Sequence, residues 1–153
     1  MKIKIIAIGN KMLSWINEAF KNYILRITHE FSPLLIEIKP EKKFASIEQK
    51  KLNEAHKILG YLDKEYLIIL DDKGTQFTSS EFSQKLKYWS ENLKSIVFVI
   101  GGAEGIHEEI LNKANLVWSL SKATFPHTFV RVMIAEQLFR AYSILENHPY
   151  HRE

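Results

Sequence analysis

Residues Ile96 to Ile100 read Ile-Val-Phe-Val-Ile, with no polar residue at either alternation. Successive side chains of a strand point to opposite faces, so such a run must be buried on both. Tyr66 to Leu70 repeats the pattern. Lys2 to Ile8, Leu34 to Ile38 and Leu116 to Leu120 give three further strand candidates. Strands of this kind separated by helical patterns predict an α/β fold: a parallel sheet with helices on both faces.

The intervening segments carry helical spacing. Trp15, Ile16, Ala19, Phe20, Tyr23 and Ile24 mark a helix over about Leu13 to Ile27. Ser46 with Gln49, and Thr78 with Glu81, form capping-box patterns. The first opens a helix with Leu52, Ala55, Leu59 and Leu62 on one face, the second a helix with Phe82, Leu86, Trp89 and Leu93. Asp71-Asp72-Lys73-Gly74 reads as a turn, Ile106 to Ala114 as a short helix, and Pro126 to Leu145 as a long one with proline in its first turn. The charged stretch Glu37 to Lys51 reads as a solvated loop rather than a binding patch.

At 153 residues the chain is expected to form one domain, residues 1–153. No apolar run approaches the roughly 20 residues of a membrane helix, and no secretory signal is expected at the N-terminus. The absence of cysteine excludes disulfides and thiolate metal sites and fits a cytoplasmic protein. A net charge of +3 permits an acidic partner such as RNA without arguing strongly for one.

Ligands of parallel α/β sheets bind beyond the carboxyl ends of the strands. Here those ends are Gly9-Asn10, Leu70-Asp71, Ile100-Gly101-Gly102 and Leu120-Ser121. There is no phosphate-binding GxxxxGK[ST] motif, no GxGxxG after the first strand and no Gly-x-Ser-x-Gly elbow. The cluster Gly101-Gly102-Ala103-Glu104-Gly105 allows two readings: a tight strand-to-helix turn, or a backbone that a ligand can approach closely. In either case Glu104 is expected near the start of the next helix. His127 and Arg131, four apart, share a helix face. The last helix is apolar on nearly every side from Phe129 to Leu145, more than one core-facing stripe requires. It is either a central core helix or a helix shared between the core and a homodimer seam, and the short chain favours the seam. Glu136 and Arg140 are spaced to pair, which leaves Arg131 free to serve a site. His148 and His151 lack evident further ligands, so no metal is expected. The tail Asn147 to Glu153 is dense in aromatic and cationic groups that suit a nucleobase, phosphate or imide oxygen, and it is expected to add little to the core.

Phe98 to Gly105, Leu120 to His127, Val130 to Val132, Ala135 to Ala141 and His148 to Glu153, together with the opening Lys2 to Met12, closely resemble the ribosomal RNA large subunit methyltransferase H family. That family belongs to the SPOUT class, and the resemblance runs end to end. It implies a parallel α/β sheet with a C-terminal trefoil knot, which periodicity does not suggest. It also implies a homodimer, S-adenosylmethionine as cofactor, and methylation of a pseudouridine of large-subunit ribosomal RNA, on the ribosome, at the ring nitrogen between the two carbonyls. The family's cofactor positions fall on Leu70, Gly101 and the stretch Leu120, Ser121, Lys122, Ala123, Thr124 and Phe125, with Gly102 beside them.

Such a transfer needs a proton acceptor or an anion-stabilising cation. The candidates are Glu104, His127, Arg131, His151 and Arg152. His151 and Arg152 are expected to come from the partner subunit's tail, with Arg131 beside the cofactor. Two other readings compete. One is a non-catalytic ribosome- or RNA-binding protein with a SPOUT-like fold, against which the intact loops argue. The other is a small nucleotide-binding α/β domain, which lacks its expected glycine and lysine motifs.

Overall fold

A computed structural model describes residues 1–9, 11–28 and 30–152. Asn10, named above at the first strand end, and Glu153, in the tail, lie outside the described residues. The elements run β1 (Lys2–Ile8), α1 (Ser14–Ile24), β2 (Leu34–Ile38), α2 (Ile47–Leu59), β3 (Tyr66–Gln76), α3 (Ser79–Asn92), β4 (Ser95–Ile100), α4 (Glu108–Leu111), β5 (Leu116–Ser119) and α5 (His127–Leu145). The strands form one sheet in the order β2-β1-β4-β3-β5, with every neighbouring pair parallel.

Strand alternation divides the core into two layers. Ile5, Ala7, Ile68, Leu70, Ile96, Phe98 and Ile100 face the side covered by α1, α3 and α5. Ile6, Ile8, Leu67, Ile69, Val97 and Val99 face Ala55 and Ile58 of α2 and Ile110 of α4. The five strands fall close to where expected: Ile5–Ile8, Leu67–Leu70 and Ile96–Ile100 are buried on both faces, whereas edge strand β2 leaves Leu34 and Glu37 exposed. α5 packs against both α1 and α3, which explains why so many of its sides are apolar.

Several local expectations are corrected. The turn expected at Asp71–Gly74 is instead a continuation of β3, and its register against β5 shifts between Leu70 and Thr75. Gly74 makes this passage feasible: a Cβ there would lie 2.7 Å from backbone atoms of Val117 and Trp118. α4 is shorter than expected, four residues, with His107 as its cap. Pro126 caps α5 rather than occupying its first turn. Thr78 and Glu81 make the full reciprocal capping box. Ser46 accepts the Gln49 N–H, but the Gln49 side chain turns to Asn53, so that box is only half formed. Of the expected α2 face, Ala55 is buried and Leu59 and Leu62 pack half-buried against the core, but the buried positions also include Lys50, Glu54 and Ile58, which the pattern does not mark.

Candidate active site

The register of the central strands brings three loops to one edge. Leu70 of β3 stands opposite Ile100 of β4 on one side and Trp118 of β5 on the other. Gly101 follows Ile100, and Leu120 lies two residues beyond Trp118. Leu70, Gly101 and the Leu120–Phe125 loop therefore share the carboxyl edge of the sheet. β1 joins them, since Ala7 is opposite Ile100 and Gly9 lies just beyond. In the loop, the Ser119 hydroxyl donates to the Ser121 carbonyl at 2.8 Å, and Ser121 Oγ accepts the Ala123 N–H at 3.0 Å. Lys122, Ala123, Thr124 and Phe125 are exposed, which leaves their backbone accessible to a ligand.

The glycine cluster forms a tight turn. The Gly105 N–H donates to the Gly102 carbonyl at 3.1 Å, and Gly105 has a φ of 86° that disfavours a side chain. At Gly101 the constraint comes from inside the protein. A Cβ there would approach Ile106 Cδ1 to 2.7 Å. A Cβ on Gly102 would meet Ile8 at 3.2 Å and Glu54 at 3.4 Å. Of the two readings open for the cluster, the tight turn is the one these contacts describe: a side chain at Gly101 meets Ile106.

His127 and Arg131 share a face of α5, as expected, and both reach Gly9. A Cβ built on that glycine would lie 3.0 Å from Arg131 Nη2 and 3.9 Å from His127 Nε2. Arg131 is not free, however. It is fully buried, donating to Glu37 at 2.8 Å and to the Gly9 carbonyl at 2.5 Å. It ties the ends of β1 and β2 to the start of α5. His127 is half-buried. Its pKa is held below the ordinary imidazole value of 6.5 by burial and by the Arg131 charge, with Glu104 opposing. Glu104 turns to α2 rather than to the start of α4, and accepts a 2.5 Å bond from Lys50. That ammonium holds its carboxyl below the usual range.

Glu136 and Arg140 pair as expected. The tail folds back along its own α5. Asn147, at a φ of 54°, ends the helix, and the His148 N–H donates to the Ser143 carbonyl at 2.8 Å. Tyr150 packs edge-on against Phe139 with ring centroids 4.7 Å apart, and its hydroxyl donates to Glu136 at 3.2 Å. Arg140 lies over the Tyr150 ring and meets His151 Nδ1 at 3.1 Å. The tail thus belongs to the packed structure, contrary to the expectation that it adds little. Arg152 is exposed. At about 1.5 Å of rise per residue, Arg140 and the His151 that meets it stand roughly 13 Å along α5 from Arg131 of the same subunit. A groove of about 340 Å³ opens beside Leu120, between Tyr23, Phe77, Phe129, Met133 and Glu136.

Sequence reasoning missed Glu37, Lys50 and Glu54. The first two stood in a charged stretch read as solvated, and Glu54 was not singled out on its helix. Among the described residues no cluster could hold a metal ion, and no helix is long and apolar enough to cross a membrane.

A family model described as "Predicted SPOUT methyltransferase" matches residues 1–151. Proteins named ribosomal RNA large subunit methyltransferase H are 41% identical over 155 residues in Methylobacillus flagellatus and 42% identical over 156 residues in Chromobacterium violaceum; in both, the match covers 100% of each chain. In fold, the chain matches a protein of Legionella pneumophila described as a methyltransferase and solved with the cofactor SAM bound. The TM-score is 0.50 and the identity 13%; the match covers 90% of this chain and 65% of that one. A family match along nearly the whole chain, with relatives this similar from end to end, establishes that the chain belongs to the SPOUT methyltransferase family.

Proposed function

We propose that this protein transfers a methyl group from S-adenosylmethionine to a pseudouridine of large-subunit ribosomal RNA, at the ring nitrogen between the two carbonyls, on the ribosome. The observation that carries the reading is the convergence of Leu70, Gly101 and the Leu120–Phe125 loop at one sheet edge. Its chemistry fits the cofactor. An accessible loop backbone offers donors and acceptors to an adenosyl group, and the neighbouring groove has a volume in the range of small-molecule sites.

When bound, the sulfonium supplies an electrophilic methyl group for in-line displacement. The protein's task is to orient two reactants, and positioning supplies roughly 7–11 kcal/mol in such cases. The backbone of Gly101, Gly102 and residues 120–125 would hold the adenosyl group. His127 Nε2 takes the imide proton; a half-buried imidazole with a lowered pKa is neutral at pH 7 and ready to accept it. Arg131 positions this corner through Gly9. His151 and Arg152 of the partner subunit grip the nucleotide, since within one subunit Arg140 keeps His151 far along α5 from Arg131.

The same reading includes a homodimer and a C-terminal trefoil knot. Half-buried Phe129, Val132 and Met133 on α5 support the dimer seam. Membership of the SPOUT family supports the knot. Cytoplasmic work on ribosomes accords with both. The direct test supplies labelled S-adenosylmethionine with assembled ribosomes, large subunits or free ribosomal RNA. Label at a pseudouridine ring nitrogen in the ribosomal sample is expected. Cofactor binding without transfer to any of the three would defeat the proposal.

A further inference from the structure

α2 meets the glycine turn on two faces: Ala55 and Ile58 share a core cluster with Ile106, while Lys50 and Glu54 bring charge to the turn. Lys50 has a side chain only 11% exposed, and its ammonium donates to Glu104 of the turn at 2.5 Å. One helical turn on, Glu54 is 3% exposed. Its carboxylate lies 3.4 Å from the point where Gly102 would carry a Cβ, and it accepts the Glu41 N–H at 3.3 Å. The Phe44 ring stands 5.5 Å from the Lys50 ammonium. A helix that only covered the sheet would carry apolar residues here, as it does at Ala55 and Ile58. Buried ions cost desolvation, and they are held only where partners and geometry compensate. Here the Lys50 ammonium bonds the Glu104 carboxylate of the turn and acts through space on Glu54 of its own helix, which burial otherwise pushes toward its neutral form.

We propose that Lys50 and Glu54 are positioning residues for cofactor binding, clamping the Gly101–Gly105 turn from the α2 side so that its backbone is held ready for the adenosyl group. The inference rests on the reading that this turn holds S-adenosylmethionine. Lys50 acts through Glu104 and touches neither cofactor nor RNA. Glu104 becomes an anchor of the turn, and the bonded ammonium makes it a poor proton acceptor.

The test compares wild type with Lys50→Met, Lys50→Arg and the reciprocal pair Lys50→Glu/Glu104→Lys. Lys50→Met leaves two carboxylates facing each other across the turn. Calorimetric titration with S-adenosylmethionine should show affinity weakened about tenfold. The KM for the cofactor should rise while kcat at saturation stays near wild type. Lys50→Arg and the reciprocal pair should recover most of the loss. Hydrogen exchange of the Gly105 amide reads the turn without cofactor: it should be faster in Lys50→Met and slower again in the reciprocal pair.

Unchanged affinity in Lys50→Met overturns the clamp, even if Gly105 exchange quickens, because the contact would then serve folding alone. A reciprocal pair no better than Lys50→Met overturns it too. A wild-type protein that binds no S-adenosylmethionine sinks the functional reading and the clamp with it. Wild-type binding with an unresponsive Lys50→Met sinks the clamp alone.

Discussion

Gly101 and His127 hold neighbouring strand ends for different physical reasons. Gly101 was legible in the sequence as a special position, with a tight turn as one of two reasons; the particular group that forbids a side chain, Ile106, was not, because only the turn brings it over the glycine. Gly101→Ala should therefore lower stability by about 1–3 kcal/mol through overpacking as well as weaken S-adenosylmethionine binding. Adding Ile106→Ala should restore much of the stability. A Gly101→Ala protein with wild-type melting and weakened cofactor binding would return the glycine to the ligand alone. His127 gives a pH prediction. Burial and Arg131 lower its folded pKa below 6.5, so the neutral, proton-accepting form persists at pH 7 and declines only in more acidic solution. The acid limb of kcat should accordingly lie below 6.5, and His127→Gln should lower kcat about 10²–10⁴-fold. The linked stability has the same sign. It is present above 6.5 and is lost as pH falls through the lower folded value, so acid unfolding of His127→Gln should depend less steeply on pH.

Elements differed in how openly the sequence declared them. The strands were readable because β-branched runs buried on both faces have few alternatives. The extension of β3 was not, because Asp71-Asp72-Lys73-Gly74 has turn chemistry, and only pairing with β5 keeps it extended. The tail was misjudged for a similar reason. Its aromatic and cationic residues were visible, but the surface that receives them, Phe139, Glu136, Arg140 and Tyr23, is assembled from two helices. Burial, with Tyr23 and Glu136 adding to it, pushes the Tyr150 hydroxyl up to about 12, as expected for a phenol in that setting. Deleting Tyr150 to Glu153 should cost about 1–2 kcal/mol from lost aromatic and cation contacts, roughly 3–6 °C in melting temperature for a chain of this size. Tyr150→Phe should retain most of that stability. Both variants should bind S-adenosylmethionine like wild type, whereas only the deletion should abolish methyl transfer. Unchanged melting in the deletion would mean that Tyr150 does not hold the tail in place.

At the scale of the whole molecule, local pattern says least. The order β2-β1-β4-β3-β5 depends on which strands pair, and apolar runs alone do not say which partner each takes. The helix that fills the core also carries the face on which the proposed dimer rests. α5 buries Ile134, Leu138 and Phe139 inward, while Phe129, Val132 and Met133 remain half-exposed beside the Leu120 loop. If that face meets a second copy, each active site combines His127 from one subunit with the tail of the other. Arg131 is a poor probe of this arrangement, because its removal would leave Glu37 and the Gly9 carbonyl without their buried partner. His127→Gln is better suited, since it changes a half-buried neutral ring. Mixing that chain with one lacking Tyr150 to Glu153 yields heterodimers in which one site pairs an intact His127 with an intact tail. Neither parent should transfer methyl at an appreciable rate. An equal mixture, exchanged to equilibrium, should recover about a quarter of wild-type activity, because half the dimers are mixed and each has one of two sites complete. No recovery, with heterodimers demonstrated by mass, would mean that the tail serves its own subunit or that one damaged site disables both. Sedimentation of the wild type as a monomer at micromolar concentration would remove the shared site altogether.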